Sequence, residues 1–382
     1  MGRIKDKPLL IFSLVGLLSN LFLPLVEIKP NRISNGIQMS AFEFIGLSQL
    51  IITGFWVILV FLSLYSHGKK SLFVFYIGAV SIVMQILLMG IKGNEIVSGN
   101  LSIRVTFASS FYIGLLMLYL TMSESFDSLK ERKMLGILGI GIILLGLFFA
   151  FRGGLFSSFS IIKEFEVKKD QFFVSLWTHA FLSFGSVLAG ALIAIPLGYL
   201  SYRRKNLENV VMVPLSILET IPSLSLFAIL LVPLANLGKN SFFNSIGVSG
   251  IGWAPAFVAL TLYTLLPIGR NTLVGFSSVD KNVIEAAKGM GMNSKEILLK
   301  IEFPLSFPLI LTGIRIALVQ TIGGAVLAGL VGGGGLGSFV FLGLAEASPD
   351  LILLGVIPIV AITLLMDGSL KAVYKTLRRK VE

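Results

Sequence analysis

The chain has 382 residues, of which 55% are hydrophobic and 13% charged, with a mean hydropathy of +0.91. Ordinary soluble domains carry about a quarter charged residues, so the composition excludes a soluble globular protein and points to helices that satisfy their own backbone hydrogen bonds in lipid. The absence of cysteine excludes disulfides, thiolate nucleophiles and Cys-ligated metals.

In chain order, apolar runs long enough to cross a bilayer are predicted at Pro8–Val26, Phe44–Tyr65, Ser71–Ile91, Val105–Ser123 and Met134–Phe151. The first follows a basic start, but no small-x-small cleavage site follows it, so it reads as a retained span. Short loops join these five, and Gln85 stands out in spans almost free of polar residues. A polar connector of mixed charge, Arg152–Gln171, comes next. Five further spans are predicted at Phe173–Tyr202, Val210–Ala235, Ile251–Arg270, Pro308–Leu330 and Leu351–Leu370. The expected fold class is all-α, a polytopic membrane protein of about ten transmembrane helices. The connector divides it into residues 1–163, read as an accessory region, and residues 164–382.

With the N-terminus cytoplasmic and the spans alternating, 21 of the 31 lysines and arginines fall on the cytoplasmic side. Nine fall on the other side, and Arg315 lies in or at the edge of a span. This is the positive-inside bias. It accounts for the net charge of +11 without a nucleic-acid partner and puts both termini in the cytoplasm. Small residues recur at helical spacing in the second half, as in Gly185 with Ala189, Gly190 with Ala194, and Gly323, Gly324 and Gly329. Such spacing permits close helix packing, or a sliding interface between two halves of a dimer.

The long loop 271–306 is the most informative stretch. Asp280 is suited to cap a short helix, whose apolar face would be Val283, Ile284 and Ala287. Gly289 and Gly291 would stop it, with Gly291 taking the positive φ of a tight turn. Asn293-Ser-Lys-Glu296 reads as a capping box opening a second helix, which Pro304 is expected to end. A short rigid helix with a tight turn suits a mechanical coupler seated in a groove of a soluble partner. Read from residue types alone, a surface hairpin without a partner fits equally well.

The spacing tips that balance. Glu285-Ala286-Ala287, three residues, Gly291, nine residues, Ile301, two residues and Pro304 resemble the EAA coupling signature of the permease subunits of bacterial ABC importers. Phe303 stands where those proteins usually have Leu. Glu219-Thr-Ile-Pro222, the stretch Leu262 to Thr272 with Tyr263 and Pro267, and Gly334-Gly335-Leu336-Gly337 resemble the branch that imports glycine betaine, choline, carnitine and related osmoprotectants. The resemblance runs from about Phe173 to Lys380 and leaves the first five spans outside.

The resemblance implies a methionine-permease-like importer core in the C-terminal half, sited in the bacterial inner membrane. It also implies a separate ATPase subunit, an extracytoplasmic substrate-binding protein, a second permease subunit and a small-molecule substrate. Glu285, Ala286, Ala287, Gly291, Ile301 and Pro304 would then couple to the ATPase, with the small alanines allowing close seating. Methionine or a sulfonate is the alternative substrate. A secondary transporter or a membrane enzyme is the rival class, and the EAA loop and the lack of a His/Asp/Glu cluster argue against these.

Other signals are weaker. Gly332–Gly337 matches GxGxxG, but no strand–turn–helix context is expected there, so the glycines read as an outer-side bend or close packing. No phosphate-binding GxxxxGK[ST] exists, and His67 and His179 lie far apart with no metal spacing, so no ATP site, metal or cofactor is expected. Glu219 ahead of the helix-breaking Pro222, and Tyr263 as an aromatic face for a quaternary ammonium group, are the pathway candidates. For Glu219, solvation near the cytoplasmic face is an equal reading. Arg315 and Asp367 are expected near span ends, snorkelling or paired.

Overall fold

The computed structural model describes residues 7–32, 34–64, 70–98, 100, 102–127 and 133–381. His67, the end of the second expected span at Tyr65, and the basic residues Arg3, Lys5, Lys69, Lys130 and Arg132 lie outside the described residues. The chain divides into two compact units, Met1–Val167 and Lys168–Glu382.

The first unit holds α1 (Lys7–Phe22), β1 (Pro24–Lys29), β2 (Ile37–Ser40), α2 (Ala41–Ile45), α3 (Gln49–Leu64), α4 (Lys70–Val97), β3 (Arg104–Phe107), α5 (Ser109–Asp127), α6 (Lys133–Arg152) and α7 (Ser160–Val167). A small three-stranded antiparallel sheet, in the order β2-β1-β3, interrupts this helical unit. It takes the end of the first expected span and the start of the fourth. The physical reason is local: Val26 and Ile28 alternate with polar neighbours and pair with Phe107 and Val105, the pattern a half-buried strand requires.

Behind the sheet, Phe107 stacks on Phe111 at 4.0 Å and on Phe159 at 4.8 Å. Glu164 of α7 is buried and receives Arg32 Nε at 2.8 Å and Arg104 Nη1 at 2.5 Å. The polar connector thus supplies the carboxylate that neutralises two arginines of this unit. Helices α1 and α3 are tied by Gln49 Nε2 donating to Asn20 Oδ1 at 2.5 Å, and Trp56 of α3 fills the notch above Gly16 of α1.

The second unit holds α8 (Lys169–Arg203), α9 (Lys205–Thr220), α10 (Ser223–Leu237), α11 (Ser241–Ser245), α12 (Trp253–Ser277), α13 (Lys281–Gly289), α14 (Ser294–Ile297), α15 (Phe303–Gly324), α16 (Gly337–Ala345) and α17 (Pro349–Val381). A π-turn, Leu298–Glu302, joins α14 to α15, and a 3-10 segment, Ala325–Val331, follows α15. Helix α12 is the centre, with α8, α9, α10 and α15 packed around it.

The small residues of α8 explain how closely it approaches α12. Gly190, Ala194 and Gly198 are buried at four-residue spacing, and a Cβ on Gly198 would lie 2.6 Å from the Gly269 carbonyl oxygen. This part of the small-residue stripe is therefore used inside the chain. Leu188, Leu192 and Val232 stay exposed, as expected of helices whose outer faces meet lipid rather than water.

Among the described residues six helices are long and apolar enough to cross a membrane: Ala41–Leu64, Ser71–Val97, Lys169–Arg203, Trp253–Ser277, Ser294–Val331 and Pro349–Thr376. The pair α9 and α10, bent by 106°, makes a seventh if counted as one broken span. The remaining expected spans fall on the shorter apolar helices Lys7–Phe22 and Gly136–Arg152 and on α5. The chain is an all-α polytopic membrane protein apart from its small sheet.

Two charged residues expected near span ends pair with each other. Arg315 Nε of α15 meets Asp367 Oδ1 of α17 at 2.6 Å, and Lys371 adds a second cation at 2.7 Å. Charge inside a bundle persists when it is paired in this way.

Candidate functional site

The loop between α12 and α15 folds as two capped helical turns about one glycine. Asp280 Oδ1 accepts from the Asn282 N–H at 2.8 Å and opens α13. Helix α13 ends in a Schellman turn, in which the Gly291 N–H donates to the Lys288 carbonyl at 2.9 Å and the Met292 N–H to the Ala287 carbonyl at 3.2 Å. Gly291 has φ +82°, with open space where a Cβ would stand. Gly289, expected to share the stop, is instead the last helical residue. Asn293 and Glu296 form the reciprocal capping box that opens α14.

Two sequence expectations are corrected here. Pro304 does not end the second helix, because helix resumes at Phe303 and runs on through α15. A proline inside an α-helix lacks the N–H owed to the carbonyl four residues back, and its ring presses on that carbonyl. The π-turn absorbs both problems: the Phe303 N–H reaches five residues back to the Leu298 carbonyl. Ile301 sits in that turn half-buried, and Pro304 is exposed at the first turn of α15. The second correction concerns Ala287, which is fully buried within the chain rather than offered to a partner. Glu285 and Ala286 are exposed beside it, as are the apolar side chains of Val283, Met290 and Leu299.

The hairpin is anchored by residues the motif did not single out. Tyr202, at the end of α8, stacks on Phe276 of α12 at 5.6 Å and donates its hydroxyl to Glu302 Oε1 at 3.0 Å. Glu302 is 1% exposed, and its Oε2 has no hydrogen-bond partner among the described residues. A cavity of about 320 Å³ opens here, lined by Tyr202, Arg203, Lys281, Glu285, Lys288 and Glu302 among others. Glu302 lies inside the motif, yet its partner comes from a distant helix, so sequence spacing gave no signal for the contact.

A second cavity, of about 310 Å³, lies at the break between α9 and α10. Ile221 and Pro222 are extended there, with ψ of 125° and 137°. The Ile221 carbonyl, which no helix uses, accepts the Tyr263 hydroxyl at 2.6 Å. Glu219 and Tyr263, separate candidates in the sequence, line this one cavity together with Gln320 and Thr321 of α15, which sequence reasoning did not select. Tyr263 stands ~21 Å along α12 from its Ser277 end at 1.5 Å per residue. Glu219 lies on the exposed rim.

The glycine stretch lies at the end of the unit opposite the hairpin. Gly332, Gly334 and Gly335 have φ of +74°, +74° and +78°. The Gly252 N–H donates to the Val331 carbonyl at 2.8 Å, and Gly335 lies against the His179 ring. His179 is buried, and since a carbonyl only accepts, its Nε2–H donates to Ile322 O at 3.1 Å. A 3-10 segment rather than a strand precedes these glycines, so the dinucleotide context is absent from this site. Gly337 begins α16 with its Cα against the Val326 backbone. Among the described residues no group of three or more His, Cys, Asp or Glu is placed to hold a metal.

Residues 186–382 match the family model described as binding-protein-dependent transport system inner membrane component. Residues 5–162 match a second model, the N-terminal domain of the ABC transporter permease YehY. The chain is 38% identical over 211 residues to the carnitine transport permease protein OpuCB of Listeria monocytogenes, covering 55% of this chain and 90% of that one. It is 34% identical over 207 residues to the choline transport system permease protein OpuBB of Bacillus subtilis, 54% of this chain and 88% of that one. With the osmoprotectant import permease protein OsmW of Salmonella typhimurium it shares 36% identity over 192 residues, 50% and 85% of the two chains. Among solved structures, an inward-facing MetNI methionine ABC transporter aligns with a TM-score of 0.48 and 23% identity, over 56% of this chain and 98% of that one.

Proposed function

The chain belongs to the family of binding-protein-dependent transport system inner membrane components, and we propose that it is the permease subunit of an ATP-driven importer of osmoprotectants such as glycine betaine, choline or carnitine. The carrying observation is the hairpin. It combines a Schellman turn at Gly291, exposed Glu285 and Ala286, and outward apolar side chains at Val283, Met290 and Leu299. A rigid, partly apolar knob of this kind suits the groove of a soluble ATPase. Relatives whose names specify carnitine, choline and osmoprotectant transport support the substrate class.

In this reading the hairpin faces the cytoplasm, as do both termini, and the membrane is the bacterial inner membrane. A binding protein delivers substrate on the far side, and a second permease subunit completes the central cavity. ATP closes the paired ATPases, which push on Glu285, Ala286 and the turn held by Ala287 and Gly291. The motion passes along two routes. One is the helix that continues through Ile301 and Pro304 into α15. The other is the Glu302–Tyr202 bond into α8. Both helices pack on α12, so a rigid-body displacement at the hairpin alters their packing and the facing of the cavity.

Uptake of radiolabelled glycine betaine, choline and carnitine into proteoliposomes holding the permease with its ATPase and binding protein tests the reading. ATP-dependent accumulation of at least one of the three is expected. Robust uptake of methionine or a sulfonate, with none of the three, would sink the osmoprotectant assignment.

The first unit is proposed as accessory to this core. Its sheet, its aromatic stack and the Glu164 ion pairs are all formed by residues of that unit, and the hairpin and both cavities lie in the second unit. A chain beginning at Lys168 is expected to insert and to co-purify with the ATPase as the full chain does. Loss of that association in an inserted, stable protein would show that the first unit helps to build the core.

A further inference from the structure

We infer that the cavity at the α9–α10 break is a transit site for the substrate inside the permease, and that it selects cationic quaternary ammonium compounds over zwitterionic ones. The inference rests on the importer reading above and adds to it a site and a charge preference. At about 310 Å³ the cavity is at the small end of ligand sites, the size for a solute of a few heavy atoms.

Its wall has the chemistry a fully alkylated ammonium needs. Such a group has no N–H to donate, so hydroxyls and carbonyls give it no directional bond. It is held by aromatic faces and by negative charge. Tyr263, half-buried, supplies the ring, with the buried Phe227 in the wall beside it, and Glu219 supplies a carboxylate at the rim. The Tyr263 hydroxyl is already committed to the Ile221 carbonyl. That bond fixes the tyrosine beside the extended Ile221–Pro222 pair and leaves the ring, not the hydroxyl, for the ligand. Ser223, Gln320 and Thr321 are neutral, and no lysine or arginine lines the cavity among the described residues.

This charge pattern separates the osmoprotectants. Choline carries one positive charge and a hydroxyl. Glycine betaine and carnitine carry a carboxylate as well, which would find no cation in this wall. The helix ends that meet at the break carry opposite partial charges, the carbonyl end of α9 and the N–H end of α10, and these offset one another. The Glu219 carboxylate is left as the charge that decides.

The test is binding to the assembled permease–ATPase complex in nanodiscs, without the binding protein, so that only the membrane site is read. Radiolabelled choline is expected to bind saturably, with glycine betaine displacing it at concentrations several-fold higher than choline itself. Glu219→Gln is expected to weaken choline binding by roughly three- to tenfold, as for loss of one partly screened charge pair, while Glu219→Asp restores most of it. Tyr263→Leu weakens choline and glycine betaine alike. Choline binding that does not saturate, glycine betaine competing as well as choline, or an unchanged affinity in Glu219→Gln would each overturn the site. Uptake keeps the two readings apart. Transport of quaternary ammonium compounds without saturable choline binding removes the site and leaves the importer. Saturable binding without transport of any such compound removes the osmoprotectant importer and, with it, the transit role, and leaves only a binding site for the cation.

Discussion

Replacing Ala287 by arginine is expected to abolish both transport and substrate-stimulated ATP hydrolysis while the protein still inserts in the membrane. Ala287 is fully buried in the hairpin, and its carbonyl receives the Met292 N–H that closes the Schellman turn. An arginine there would overfill a packed site at about 1–3 kcal/mol and would bury an unpaired charge as well. The turn opens, and Glu285 and Ala286 are no longer held in place for a partner. Gly291→Val acts on the same turn by a different route. No atom lies within 4 Å of the new Cβ, so the cost is backbone strain alone. For an L-residue at positive φ that is ~1–2 kcal/mol, a factor of roughly 5–30 in the population of the correct turn. A β-branched side chain is disfavoured further. Glu285→Ala removes an exposed charge from an intact hairpin and is expected to be mildest. Uptake and ATP hydrolysis, measured together in proteoliposomes, should fall in the order Ala287→Arg, Gly291→Val, Glu285→Ala. Wild-type transport in the first two would make the loop a passive hairpin and would remove the main support for the importer reading.

What the sequence revealed of this hairpin, and what it hid, follows the range of the forces involved. Asp280, Asn293 with Glu296, and Gly291 act on backbone groups two to five residues away, so their geometry was legible from spacing. Ala287 was not legible in the same way. A small residue suits close seating on a partner and tight packing at home equally well, and only the fold distinguishes them. Pro304 shows local propensity overridden: a helix breaker became a helix starter because a π-turn took up the misfit. Glu302 and Tyr202 meet across the packing of α8 and α15, where no pattern along the chain points. The same holds for Gln320 and Thr321, which join Glu219 and Tyr263 only because four helices and the 3-10 segment converge on one cavity. In the first unit the strands were present in the sequence as alternating Val26 and Ile28, but their apolar content was absorbed into longer predicted spans.

The glycine stretch at the far end supplies the other large effect. Gly337→Ala is expected to cost the protein much of its stability, although the change adds one methyl group. A Cβ on Gly337 would overlap the Val326 carbonyl oxygen and lie 2.6 Å from its carbon. Both atoms are backbone of the 3-10 segment 325–331, so no side-chain rotation relieves the contact. Retreat is blocked as well, because the far end of that segment is bonded to Gly252 through the Val331 carbonyl. The segment must therefore shift as a body, and Leu327 within it lines the cavity assigned to the substrate. Overpacking of this kind costs about 1–3 kcal/mol, a fall of roughly 2–12 °C in thermal midpoint for a unit of this size. Two companion changes separate steric overlap from other causes. Gly335→Ala meets the His179 ring at 3.4 Å, an ordinary contact, and suffers only the strain of φ +78°, so its loss should be smaller. Gly323→Ala lies in the last turn of α15 with nothing within 4 Å and should be neutral or slightly stabilising, since alanine is the better helix former. Thermal unfolding of the solubilised protein, followed by size-exclusion fluorescence, reads all three. A wild-type midpoint in Gly337→Ala would mean that α16 and the 3-10 segment are not packed backbone to backbone.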